Sequence, residues 1–230
     1  MTSIAIVMAG KNIHGRLLIK KLLEMNIKPE VIINEYNTDR SKRLEGFLKN
    51  DFDNPVSLED LDLNVQNVDG YASEKALSIL RKISPSYIIN GGCGIFGENL
   101  LGIATCINVH PGMLPYFRGL DPVLWSLYHK KPIGATVHKI SSGIDEGQIY
   151  ISRQLPWQNA KSILDLRLQC MSWGADLLCD FLKKPADYTP KMQDESDAQY
   201  FSKFPEENVR RAEENLKSYL PFNGGNAFGI

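Results

Sequence analysis

Ile4-Ala5-Ile6-Val7-Met8-Ala9-Gly10 sets six apolar residues before a glycine, directly after Met1-Thr2-Ser3. An apolar run this short, without polar alternation, reads as a strand buried on both faces, the kind found in parallel sheets. Helical spacing follows at Leu17, Leu18, Lys20, Lys21, Leu22 and Leu23. The same alternation recurs along the chain. Glu30–Asn34 reads as a second strand and 40–48 as a helix. In the irregular stretch 50–72, Val56 and Val65–Val68 are short strand candidates. Ser73 is a fitting N-cap for a helix ending at Ile83. Tyr87–Asn90 is a strand ending in the turn Gly91, Gly92, Gly94, and Thr105–Val109 is another. Asp121–Tyr128 is helical, Ile133–Ile140 and Gln148–Gln154 are strands, and Ser162–Leu182 is a long amphipathic helix. Strands alternating with helices imply an α/β fold with a mostly parallel sheet covered on both faces. Ligands then bind outside the carboxyl ends of the strands.

Residues 1–183 read as one catalytic domain. Residues 184–230 are charged and read as a small C-terminal appendage, a hairpin plus a helix near Glu206, and a possible dimer element. Its aromatic residues Tyr188, Tyr200, Phe201 and Phe204 suit an interface, so a homodimer is expected.

With 230 residues and a net charge of −1, the chain has no basic stretch that would track a phosphate backbone, and no nucleic-acid partner is expected. Nothing resembles a signal peptide or a membrane span, and a cytoplasmic location is expected. Cys93, Cys106, Cys170 and Cys179 lack the close spacing of a structural zinc or dithiol motif, and no metal is expected.

Chemistry concentrates between Cys106 and Tyr150. Asn108 and His110 alternate at a strand end, so both point to one side. Pro111 breaks the strand, Arg118-Gly119 follows in the loop, His138 lies on the next strand, and Asp145 sits in a glycine-flanked turn. An amide, an imidazole and a carboxylate together suit acyl transfer to an amine: fixed donors for an oxyanion and groups that move protons. Separately, each has an ordinary structural reading as a turn residue or a packed histidine. His14 and His129 read as surface residues. Gly10-Lys11-Asn12-Ile13-His14-Gly15 lacks the middle glycine of a dinucleotide loop and the Lys-Ser/Thr of a P-loop. It serves either as a tight turn or as a helix N-terminus for a phosphate.

The ordered set Asn108-Val109-His110-Pro111-Gly112-Met113-Leu114-Pro115, Arg118-Gly119, His138 and Ile144-Asp145-Glu146-Gly147 resembles the folate-dependent formyltransferase family, most strongly over 85–155. The resemblance implies a Rossmann-like fold, 10-formyltetrahydrofolate as donor co-substrate, and Asn108, His110 and Asp145 as the catalytic set. It also implies folate contacts at Cys93, Gly94, Ile95 and Phe96, at Ser141, Ser142, Gly143 and Ile144, and at His138, which otherwise only packs or supports the site. Gly112 departs from the family, where serine is common.

The expected acceptor is a small-molecule amine. Arg118–Trp125 is similar to the sugar-nucleotide N-formyltransferases, which favours an amine on a nucleotide-linked sugar, met by Lys11, Arg118 and Tyr200. Glycinamide ribonucleotide, another small amine, or water in a formyltetrahydrofolate hydrolase are the alternatives, and a binding protein without turnover is a further one.

Overall fold

In the computed structural model, residues 2–10, 12–36, 58, 61–156 and 160–218 are described. The expected helix at 40–48, the strand at Val56 and the substrate contact Lys11 lie outside them.

The chain builds a seven-stranded sheet from β1 (Ile4–Ala9), β2 (Val31–Glu35), β3 (Val65–Val68), β4 (Tyr87–Asn90), β5 (Thr105–His110), β7 (Gly134–Lys139) and β8 (Ile149–Gln154), in the spatial order β3-β2-β1-β4-β5-β7-β8. The first five strands are parallel, whereas β7 runs antiparallel to β5, and β8 antiparallel to β7. A second, two-stranded sheet joins β6 (Arg118–Gly119) to β9 (Tyr200–Phe201) in parallel. The helices are α1 (Ile13–Glu24), α2 (Glu74–Ile83), α3 (Glu98–Leu101), α4 (Pro122–His129), α5 (Ile163–Lys183) and α6 (Val209–Ser218).

Strand β1 shows why the sheet is covered on both faces. Ile4, Ile6 and Met8 pack with Leu18, Ile19 and Leu22 of α1 and with Leu178 and Phe181 of α5. Ala5, Val7 and Ala9 turn the other way, towards Leu77 and Leu80 of α2. Each fully buried Leu or Ile side chain removes apolar surface worth about 1.5–3 kcal/mol. Ser73 caps α2 by accepting from the Ala76 N–H, as the sequence suggests.

Strand order reverses at β1, whose neighbours are β2 and β4, and the loops after β1 and β4 meet there. Asn12 ties them together: its Oδ1 accepts from the His14 N–H at 2.9 Å and its Nδ2 donates to the Gly92 carbonyl at 3.1 Å. The appendage differs from expectation. In place of a hairpin, the described residues after Lys183 return to the body. Lys191 bridges Ile149, β9 pairs with β6, and Phe204 packs edge-on against Trp125 and Tyr128. Phe201 lies against Phe117 and Trp125, and Tyr188 against Phe181. Three of the four aromatics expected at a dimer interface are thus packed within the chain, because the acidic segment needs them to hold it on the body. Among the described residues, no helix is long and apolar enough to cross a membrane.

Candidate active site

The carboxyl end of β5 brings Asn108, His110 and Asp145 together. Asn108 and His110 lie two residues apart on β5 and so share a side. Asp145 arrives from the loop between β7 and β8, where its backbone takes the left-handed φ of 55° that Asp tolerates. His110 Nδ1 is 3.5 Å from Asp145 Oδ2, and Asn108 Nδ2 donates to Asp145 Oδ1 at 3.3 Å. The Gly119 N–H of β6 donates to the same Oδ2 at 2.9 Å.

Hydrogen bonding fixes the tautomers. His110 Nε2 is 2.7 Å from the Phe117 carbonyl, which only accepts, so Nε2 carries the proton and Nδ1 is the basic nitrogen, beside Asp145. His138 Nδ1 is 2.9 Å from the Lys139 carbonyl, so its Nε2 accepts from Asn108 Nδ2 at 3.1 Å. His138 and Asn108 are direct cross-strand partners in the antiparallel β5–β7 pair. His138 was expected either to touch folate or only to support the site; it is 2 % exposed and stands opposite Asn108, whose amide it orients.

Charge follows from this packing. Burial alone would raise the Asp145 carboxyl, but the facing His110 and the Gly119 N–H hold it well below the usual carboxylate range. Burial lowers the His110 imidazole below its ordinary value, with Asp145 opposing the shift. At neutral pH the pair is therefore a carboxylate facing a neutral imidazole whose free lone pair is at Nδ1. A proton taken up there is stabilised by Asp145.

Two glycines and a threonine keep His110 in place. A Cβ on Gly112 would fall 2.8 Å from His110 Nε2 and 2.6 Å from Pro122 Cβ. The departure from serine at 112 thus makes room for the imidazole. Gly147 leaves no room for a Cβ against the Lys139 carbonyl, which closes the turn carrying Asp145. Thr136 Oγ1 donates to the Gly112 carbonyl at 2.7 Å and accepts from the Leu114 N–H at 3.2 Å, fixing the loop after His110.

The two loops expected to meet folate flank this site unevenly. Ile95 is 68 % exposed and Ile144 is 41 % exposed, so both offer apolar surface to a flat ring. Ser142 is exposed, and Gly94, Ser141 and Gly143 are half-buried. Cys93 and Phe96 turn into the core, which corrects their expected role: their side chains anchor the loop and leave only backbone to face a ligand. Asn90, which sequence reading missed, organises this loop. Its Oδ1 accepts from the Gly92 and Cys93 N–H groups and its Nδ2 donates to the Gly94 carbonyl. An Asn directly before Gly-Gly is an Asx-turn signal that could have revealed it.

Arg118 was expected to meet the acceptor. Its side chain is buried: Nε and Nη2 donate to Gln193 Oε1 at 3.1 and 2.9 Å, and Nη2 lies 2.7 Å from a Glu195 oxygen. A guanidinium whose fork is filled this way is a tether, and a diphosphate would have to displace both partners. Tyr200 is 60 % exposed and pairs with Arg118 across β6 and β9, next to Gly119. His14, read as a surface residue, is buried in the first turn of α1. Burial, and then the proximity of His110, lower its imidazole to about 4.

The formyl transferase family model matches residues 2–176. The chain belongs to the formyl transferase family. A methionyl-tRNA formyltransferase from Syntrophus aciditrophicus is 36 % identical over 106 residues, which is 44 % of this chain and 34 % of that protein. The chain thus spans about a third of that relative's length. Among solved structures, an N-formyltransferase from Helicobacter canadensis, in complex with folinic acid and dTDP-3-aminofucose, shares the fold with a TM-score of 0.59 and 19 % identity, over 88 % of this chain and 71 % of that one. Glycinamide ribonucleotide transformylase 1 from Symbiobacterium toebii does so with a TM-score of 0.60 and 19 % identity, over 84 % and 95 %. The likeness to these structures bears out the mostly parallel, Rossmann-like α/β fold that the resemblance implied.

Proposed function

We propose that this formyl transferase moves a formyl group from 10-formyltetrahydrofolate to a primary amine, with Asn108, His110 and Asp145 as its catalytic set. The observation that carries the reading is the meeting of two segments, β5 and the loop between β7 and β8, at Asp145, whose two oxygens engage Asn108 and His110 at 3.3 and 3.5 Å. The acceptor nitrogen attacks the formyl carbon, and a C–N bond forms. The carbonyl oxygen becomes an oxyanion, for which Asn108 Nδ2 gives up its longer bond to Asp145. The ammonium proton passes to His110 Nδ1, and Asp145 stabilises the imidazolium. The oxyanion then collapses, the bond to folate N10 breaks, and N10 takes up the proton held on His110. No covalent enzyme intermediate is needed. The pteridine rests against Ile95 and Ile144.

For the acceptor we favour an amine on a nucleotide-linked sugar. Exposed Tyr200 stands beside Gly119, whose N–H holds Asp145, and gives a base or sugar a stacking face within reach of the chemistry. Because Arg118 is occupied, the diphosphate must be met elsewhere. The likeness to methionyl-tRNA formyltransferases supports charged tRNA as a second reading. A homodimer and a cytoplasmic location remain part of the proposal. The test is to supply 10-formyltetrahydrofolate with amino-sugar nucleotides, glycinamide ribonucleotide, methionyl-tRNA or no acceptor, and to follow tetrahydrofolate release. Amino-sugar nucleotides are expected to give the highest kcat/KM. A higher value for charged tRNA or glycinamide ribonucleotide reassigns the acceptor. Equal release without any amine makes the protein a hydrolase.

A further inference from the structure

We infer that residues 191–201 form a clasp that positions Asp145 from two sides, with Gln193 as its central positioning residue. This rests on the reading of Asp145 as part of the catalytic set. The clasp lies wholly beyond residue 176, where the family match ends.

Gln193 lies 48 residues from Asp145 in sequence, yet its Nε2 donates to the Asp145 carbonyl at 2.7 Å. The same Nε2 donates to the Gly147 carbonyl, also at 2.7 Å. One amide therefore spans the turn that carries the carboxylate. Its orientation is unambiguous. Carbonyls can only accept, and the Arg118 guanidinium on the other side can only donate, so nitrogen faces the turn and oxygen faces Arg118. Glu195 holds the far side of Arg118. The second grip is through backbone. The Arg118 N–H donates to the Gln199 carbonyl at 2.9 Å, and the Leu120 N–H to the Phe201 carbonyl at 3.0 Å. That ladder sets Gly119 between them, and the Gly119 N–H donates to Asp145 Oδ2. Gly119 has a φ of +95°, and a Cβ there would collide with the Phe201 carbonyl, so the close approach of β9 needs this glycine. The turn is held from behind by Gln193, and the carboxylate is held in front by β6.

A positioning role differs from a stabilising one in what it does to the coupling between Asp145 and His110. The charged or titratable groups near His110 are Asp145, His138 and His14. Only Asp145 is carried by the turn that Gln193 grips.

The experiment is a double-mutant cycle read by NMR titration of the His110 ring, with steady-state kinetics alongside. Asp145→Asn is measured in the wild-type background and in Gln193→Met, which keeps the side-chain length and removes the donor. Ile19→Val, a core substitution, controls for loss of stability. Gln193→Ala is included; if it does not fold, Gln193→Met carries the test. In the wild-type and Ile19→Val backgrounds, Asp145→Asn lowers the His110 midpoint. In Gln193→Met it is expected to lower it by less than about half as much, because the coupling is already weakened. For Gln193→Met itself, kcat is expected to fall by about tenfold or more with the KM for 10-formyltetrahydrofolate little changed, the cost of a misplaced catalytic group. An equal drop of the midpoint in all three backgrounds overturns the clasp. Loss of coupling in a protein that transfers no formyl group leaves the clasp standing and removes the formyl-transfer reading.

Discussion

Gly112 touches His110 edge-on: the glycine's missing Cβ would lie 2.8 Å from Nε2 and 3.0 Å from Cδ2 of the imidazole. His110 is already fixed by the Phe117 carbonyl, and the same added Cβ would lie 2.6 Å from Pro122 Cβ. Gly112→Ser is therefore expected to displace the ring and lower kcat by about tenfold to a hundredfold, the cost of misplacing a catalytic group by roughly an ångström. Folate affinity should change little. Steady-state kinetics and calorimetry check this, and an unchanged kcat contradicts the packing described.

His14 makes folding stability depend on acid. Its imidazole titrates at about 4 in the folded chain against an ordinary value of 6.5. The unfolded chain thus binds the proton more readily. The stability due to neutral His14 is fully present above pH 6.5 and is lost as the pH falls towards 4. At about 1.4 kcal/mol per unit, the loss amounts to about 3 kcal/mol. Among the described residues its Nε2 has no hydrogen-bond partner, so the apolar His14→Leu leaves no polar side chain buried there. Urea melts should show stability falling between pH 6.5 and 4 more steeply in the wild type than in His14→Leu. A wild-type curve no steeper than that of the variant counts against the buried, neutral assignment.

The loop expected to meet folate should separate contact from scaffolding. Ile95→Asp puts a charge on the exposed apolar face and is expected to raise the KM for 10-formyltetrahydrofolate, with kcat nearly intact at saturation. Asn90→Ala removes three hydrogen bonds that shape the loop, each worth about 1 kcal/mol. It is expected to raise KM and also to lower the melting temperature. If Ile95→Asp leaves KM unchanged, the pteridine lies elsewhere.

Phe204 is 4 % exposed and meets Trp125 with ring centroids 4.7 Å apart. Phe204→Ala is expected to destabilise the chain by about 3–5 kcal/mol. Because the contact is within one chain, the melting temperature of this variant should not depend on protein concentration. A concentration-dependent loss would instead place Phe204 at an interface.

The strands β1, β4 and β5 were legible because both sheet faces are covered, which demands unbroken apolar runs. Asn108 and His110 were legible because alternation on a strand fixes their common side, and Asp145 because the ordered motif named it. What escaped reading depends on pairing between distant segments. The antiparallel return of β7 set His138 behind Asn108, and no local pattern distinguishes that from a parallel strand. Arg118 looked free to meet a phosphate because its partners, Gln193 and Glu195, lie 75 and 77 residues further on. His14 looked exposed because a polar residue in a glycine-rich loop gives no sign that α1 will bury it near His110. Cys93 and Phe96 fell on the expected loop, but only packing decides which of its side chains turn inwards.

The most direct test is a single-turnover assay of formyl release from 10-formyltetrahydrofolate with the best acceptor found. It compares wild type, His110→Ala and Asp145→Asn, with folate binding measured in parallel. Removal of a positioned acid–base or oxyanion group is expected to slow release by roughly two to four orders of magnitude while folate binding stays close to wild type. Release at near wild-type rates in both variants would contradict the assignment of this site.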